Sequence, residues 1–319
     1  MLGVGARHEK GIRITLGHHL MRRHTILDKR VYFLMIIAFV IGMVELIISG
    51  ILDLIAADLN VTLGQVGYLI TIFSLIFAVA SPILLLVTAK VERKKLTLIN
   101  LVIFLIGNII TLFSYSYSMM VVGRIVSATS GALLIILCLV MAPSLVTVKY
   151  RARAIGVVSM GVSGSLVLGI PIGITLGNQF GWRAPFALIS FLTLLSIIGV
   201  LLWMKKVEPK KVVPLKLQLS TLKSKKVLLA HLTTLFYMTG HTIIYAYLKP
   251  FIQTTTELDG TWISAIYFIF GIAAVSGGGI GGTLADRFGT APMIIVSLII
   301  FSIALFVLPL TTAIWPLFL

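Results

Sequence analysis

Nine stretches of roughly twenty apolar residues follow one another along this 319-residue chain, near 31–51, 66–88, 96–113, 119–140, 154–177, 184–204, 227–249, 262–285 and 291–310. Each is about as long as a helix must be to cross ~30 Å of hydrocarbon. With 59% hydrophobic and 11% charged residues and a mean hydropathy of +1.10, no soluble domain of this length could cover its apolar surface with polar groups. The bilayer is the solvent, and in a bilayer such spans must be helices, which satisfy their own backbone. The scaffold is also used twice. The span opening at Val31 corresponds to the one opening at Leu228, and the span ending at Val87 to the one ending at Leu284, an offset of 197. Parallel repeats of membrane helices enclose a substrate site between their halves in many secondary transporters.

The repeat divides the chain into a tail at 1–30, a first six-helix repeat at 31–204, a linker at 205–226 and a second repeat at 227–319. Subtracting the offset from Leu319 gives residue 122, just inside the fourth span, so the second repeat is expected to hold three helices and the stub of a fourth at 313–319. On this reading the sequence is C-terminally truncated. The linker carries eight lysines with Pro209, Pro214 and a single Glu208, the composition of a solvated connector. The tail holds His8, His18, His19 and His24 but no cysteine, and it lacks the spacing of a metal site. No cofactor or metal is expected. Cys138, the only cysteine, excludes a disulfide within the chain.

The net charge of +16 suggests nucleic acid only until its placement is read. Of 26 lysines and arginines, seven fall in 1–30, four in 90–95, three in 149–153, eight in 205–226 and one is Arg287, so 23 lie on one side of the spans. The opposite loops hold Asp58, Glu257 and Asp259 with Arg183 as their only cation. The positive-inside rule then places the N-terminus and the linker in the cytoplasm. The basic charge encodes orientation, and no nucleic-acid partner is expected.

Three patterns carry a family resemblance: GGTLADRFG at 281–289 after the eighth span, Arg124 in the fourth, and GIPIG at 169–173 in the fifth. They resemble the signature motifs of the major facilitator superfamily, and the fifth-span pattern resembles that of its twelve-helix drug:proton antiporters. The stretches GMVELIISGILDLIAADL, TAKVERKKL, KYRARAIGVVSMG, GHTIIYAYLKPF and YFIFGIAAVSGGGIGG, spread over 42–289, are similar to bacterial purine base and nucleoside efflux pumps of that group. Related sugar and arabinose pumps share the first-span pattern. The resemblance implies a major facilitator fold, antiport through Gly169, Pro171 and Gly173, and a gating latch built on Gly282, Asp286, Arg287 and Gly289. Asp53 departs from the purine- and sugar-pump pattern, which has proline there, so the far part of the first span is expected to run straighter and Asp53 to face outside water.

On chemistry alone, Asp286 suits the electropositive N-terminus of a following helix, and Arg287 suits a neighbouring carboxylate or carbonyl. The first-repeat copy, LLVTAKVERKK at 85–95, is degenerate, with Glu92 at a glycine position. The glycines of the fifth and eighth spans predict that these two helices pack closely. Ionisable residues inside spans are the best clues to coupling. Glu45 and His241 each lie fifteen positions into repeat-related spans, both ~21 Å from the cytoplasmic end at 1.5 Å per residue. Glu45 is expected to carry the coupled proton, with Arg124 biasing it toward its charged form. His241 and Tyr245 are expected to meet substrate, since flat rings stack on flat rings. No nucleophile with its base, HExxH or paired catalytic carboxylates occurs, which argues against an enzyme. The expected protein is a monomeric, proton-coupled exporter of a small solute in the cytoplasmic membrane, most specifically of purine bases or nucleosides. Sugar or drug efflux, or a nonfunctional transporter fragment, are the alternatives.

Overall fold

A computed structural model of the chain describes residues 28–208, 220, 223–255, 258 and 260–307. Among these residues there are nine α-helices and no strand: α1 (Lys29–Leu59), α2 (Leu63–Val87), α3 (Arg93–Leu112), α4 (Tyr117–Met141), α5 (Arg151–Phe180), α6 (Ala184–Trp203), α7 (Lys225–Thr255), α8 (Gly260–Phe288) and α9 (Thr290–Val307). Two short 3-10 turns, Ala142–Leu145 and Val148–Tyr150, join α4 to α5. The tail histidines, most of the linker and the stub at 313–319 lie outside the described residues. Seven of the helices, α1 to α7, are long and apolar enough to cross a membrane, and α8 and α9 add the shorter apolar stretches Thr261–Ala273 and Ala291–Val307.

The first four helices start where the sequence supplies caps. Asp28 accepts from the Arg30 amide at 2.9 Å, and Ser116 accepts from Met119. Thr62 and Gln65 form a reciprocal capping box ahead of α2. Glu92 caps α3 by accepting from the amides of Lys94 and Lys95 at 2.8 and 2.9 Å. Gly289 adopts φ +90° between α8 and α9, a left-handed turn that a side chain would strain.

Between α1 and α6 lies one large core, and it centres on α1, whose Ile37, Ile41, Met43, Ile47 and Ile51 are buried. Glycines let α5 lie flush on α1. A Cβ at Gly173 would come within 2.6 Å of Ile47, one at Gly177 within 2.7 Å of Ile51, and one at Gly161 would strike the Met35 carbonyl. A second cluster joins α5 to α7 and α8: Ile170 and Ile174 pack with Tyr245, Leu248 and Ile252 of α7 and Ile263, Ile266 and Tyr267 of α8. The expected meeting of the fifth and eighth helices is found, with Gly271 of α8 seated against the Val167 backbone of α5.

That cluster occupies one half of the bundle's thickness. It uses the C-terminal part of α7 and the N-terminal part of α8, at what we term the far end, opposite the start of α1. Toward the near end Leu229, Leu235 and Phe236 of α7 and Ile280 and Phe288 of α8 are exposed.

Two expectations are corrected here. The backbone leaves helical geometry at Ile51 (φ −126°, ψ 18°), so α1 kinks two residues before Asp53 although the proline is absent. Asp286 lies in the last turn of α8, not at the start of the next helix, so its position is that of a helix C-terminus.

Candidate functional site

Glu45 and His241 occupy matching places in α1 and α7. Both helices are 31 residues long, and each of the two residues stands sixteen positions after its helix's first lysine, Lys29 or Lys225. Their surroundings are different.

Glu45 is half-buried. Beside it, fully buried Arg124 of α4 donates from Nη1 to the Val44 carbonyl at 2.7 Å and lies 4.1 Å from the Phe73 ring centroid of α2. Its Nε and Nη2 have no hydrogen-bond partner. Arg124 is thus bonded to the backbone of the residue just before Glu45, while the ion pairs among the described residues are Arg30–Asp28, Arg183–Asp58 and Lys249–Asp53. The arrangement is a buried cation, spare donors and an acid close by, with no direct lock between them. An arginine at this depth is tolerable only because a carbonyl, a ring face and a nearby carboxylate share its charge.

His241 belongs to an aromatic group. Its ring stacks with Tyr245 at 5.7 Å and 15°, and it lies 5.7 Å from Phe270 and 6.0 Å from Tyr237. Tyr245 in turn meets Phe270 at 5.1 Å and Tyr267 edge-on at 5.4 Å. The Tyr245 hydroxyl donates to the Leu166 carbonyl of α5 at 3.1 Å, fixing the ring against α5, and the Tyr267 hydroxyl donates to the Tyr245 carbonyl at 3.0 Å. Such a cluster offers ring faces and a half-buried imidazole to a planar solute.

Gly169 and Gly173 face α1, against Met43 and Ile47, and half-buried Pro171 lies between them without breaking α5. The GxPxG pattern therefore seals α5 to α1 on the helix that also carries the contact with α8. Gly282, Asp286 and Arg287 fall in the last turns of α8, where side chains are outside the described residues, and Gly289 is the turn that follows. Glu92 does more than orient charge. Besides capping α3, its Oε1 accepts from the Val207 amide at 2.9 Å, and the Arg93 amide donates to the Val207 carbonyl at 3.0 Å, which fastens the start of the linker to the α2–α3 turn.

Sequence reasoning missed a further group. Asp53, expected to face water, is half-buried and also accepts from Lys249 Nζ at 2.6 Å, and the same ammonium donates to the Gly50 carbonyl at 2.8 Å beside the kink. Gln253 reaches the other Asp53 oxygen at 3.5 Å. A signal was present in the sequence: Lys249 stands eight residues after His241, as Asp53 stands eight after Glu45.

The sequence pattern of the Major Facilitator Superfamily matches residues 34–319. The uncharacterized MFS-type transporter YbcL of Bacillus subtilis (strain 168) is 33% identical over 283 residues, 89% of this chain and 73% of that protein. Among solved structures, a bacterial homolog of the human lysosomal transporter Spinster, in an inward-facing and unoccupied conformation, superposes with a TM-score of 0.75 at 17% identity over 92% of this chain and 71% of that one. A D-xylose–proton symporter does so at 0.60 and 14% identity, over 81% and 68%.

Proposed function

Because the chain belongs to the Major Facilitator Superfamily and is a multi-pass membrane protein of its transporter kind, we propose that it exports a small solute, a purine base or nucleoside, in exchange for protons. Access alternates between the two membrane faces around a site between α1, α4, α7 and α8. The N-terminus faces the cytoplasm of a bacterial cell, a placement that the flanking cations support through the positive-inside bias. Glu45 is the proton carrier. Arg124, with two spare donors and no direct ion pair, favours the charged carboxylate until substrate or water rearranges the site. His241 and Tyr245 take the planar solute, and the α8–α9 turn with Gly282, Asp286, Arg287 and Gly289 gates the near face. The GxPxG seal at Gly169, Pro171 and Gly173 joins α5 to α1, so a movement of α1 is passed to α8.

The observation that best supports this reading is the placement, at one depth in repeat-related helices, of an acid beside an under-partnered arginine and of a histidine within a ring cluster. The D-xylose–proton symporter, by its name, couples a solute to protons on the same fold. It also keeps sugar export as the competing reading, and a competition assay with labelled purine against pentose separates the two.

The coupling is tested in proteoliposomes. Proton and solute affinities are linked reciprocally, and a linkage of ~1–3 kcal/mol is an affinity change of about 5–150-fold between protonation states. In Glu45→Gln the pH dependence of purine affinity should fall to about onefold and pH-driven purine movement should stop, while purine binding persists. Wild-type export with unchanged pH dependence would remove Glu45 from the mechanism.

A further inference from the structure

We propose that Asp53 and Lys249 form a state-specific latch that closes the far end of the bundle between the two repeats. The inference rests on the alternating-access reading above.

Four observations converge on it. First, the two residues stand in the same place on related helices: each is 24 positions after the first lysine of a 31-residue helix and six before its last residue. Their ion pair therefore lies on the line along which the repeats face each other. Second, Lys249 is buried and Asp53 is its only ion-pair partner among the described residues, while the Asp53 side chain keeps 28% of its surface exposed. Third, α1 kinks at Ile51, and the Gly50 carbonyl just before the kink accepts from Lys249, a side chain inserted beside a broken ladder. Fourth, neighbouring contacts close the same end: the Tyr247 hydroxyl occupies the space a Cβ on Gly67 of α2 would need, and Ile252 and Ile263 are buried beneath.

The physics makes the pair a switch. While the far ends touch, Lys249 is out of water and, among the described residues, Asp53 and the Gly50 carbonyl compensate its charge. When they separate, both ions hydrate and need no partner. Removing one partner therefore penalises the closed arrangement and leaves the open one nearly unaffected. The effect is asymmetric. Neutralising Asp53 orphans a buried ammonium, whereas neutralising Lys249 orphans a carboxylate that already meets solvent.

The test is a distance measurement on the full chain in lipid nanodiscs, with Cys138→Ala and spin labels at Gly64→Cys and Thr255→Cys, which are exposed at the far end on α2 and α7. Asp53→Asn should shift the ratio of long to short distances by about tenfold or more. Lys249→Met should shift it less, and the double variant Asp53→Asn/Lys249→Met should return toward wild type. Asp53→Glu, which keeps the charge, should hold the short distance. An unchanged distribution in Asp53→Asn, or a double variant as open as Asp53→Asn alone, overturns the latch. If Asp53→Asn yields no folded protein, Lys249→Met against the double variant decides: a double variant at least as closed supports the pair, and one more open overturns it. The distance needs no substrate, so a chain that shows this pattern yet moves no purine loses the proposed solute and keeps the latch.

Discussion

Asp58, one residue before the end of α1, accepts from the Trp182 indole and from Arg183 Nη1, both at 2.9 Å, and Arg183 Nη2 goes on to the Ser114 carbonyl at 2.8 Å. One carboxylate thus joins the end of α1 to the α3–α4 and α5–α6 turns. Both charged partners are more than a third exposed, so water and salt discount the pair. Asp58→Asn should cost about 1 kcal/mol or less, seen as a small drop in the detergent-solubilised unfolding temperature that added salt reduces. Glu92 has a different sign of interest. Burial pushes its carboxyl up, but the amides of Val207, Lys95 and Lys94 outweigh this and hold it below the usual carboxylate range. A depressed value means the ionised form stabilises the fold above the unfolded value, and the contribution is lost as pH falls through the folded one. Hydrogen-exchange protection of the 204–208 segment should therefore fall on acidification below pH ~4, whereas Glu92→Gln, already without the charge, should show low protection at every pH. At this scale the sequence was read poorly where a residue's role depends on a partner far along the chain. The shared eight-residue spacing after Glu45 and His241 puts Asp53 and Lys249 at matching positions, but spacing alone does not announce an ion pair between residues 196 positions apart.

Helix pairs in a membrane gain nothing from hiding apolar surface, so close backbone approach decides how they pack. Gly107 of α3 is one such approach, made against backbone. An added Cβ would lie 2.6 Å from the Ser127 backbone nitrogen and 3.0 Å from its Cα on α4, and backbone has no rotamer with which to yield. Gly107→Ala should cost about 1–3 kcal/mol. Gly156 of α5 has nothing within 4 Å of the same position, so Gly156→Ala should be neutral or stabilise by up to ~1 kcal/mol through backbone propensity. The contrast is read by thermal unfolding of the two variants side by side. Stability of Gly107→Ala at the wild-type level would mean that α3 and α4 can separate freely. The nine spans were legible because their length is imposed by the bilayer, but their ends were not. Helix α1 runs to Leu59 and α7 from Lys225 to Thr255, past the apolar stretches, since polar residues at the membrane rim remain helical when they find partners there.

For the molecule as a whole, hydropathy and repeat made the fold class readable from sequence, because a hydrophobic chain of this length has few alternatives in lipid. The candidate site was readable only in part. Glu45, Arg124 and His241 stand out as ionisable groups inside spans, but the ring cluster around His241 depends on Phe270, which comes from another helix and looks like any core aromatic in the sequence. Orientation is the remaining property that belongs to this scale, since no single residue determines it. Short loops rich in lysine and arginine resist translocation, and the near end carries Lys205, Lys206, Lys223, Lys225, Lys226 and the 90–95 cations while the loop at the far end has Arg183. The helix order puts exposed Lys206 at the near end and exposed Thr254 at the far end. In a Cys138→Ala background, an impermeant maleimide applied to intact cells should label Thr254→Cys, and Lys206→Cys should react only after the membrane is opened. The opposite pattern would invert the assignment. The Asp53–Lys249 latch would then close the cytoplasmic end, and the proton and solute directions proposed for the site would both reverse.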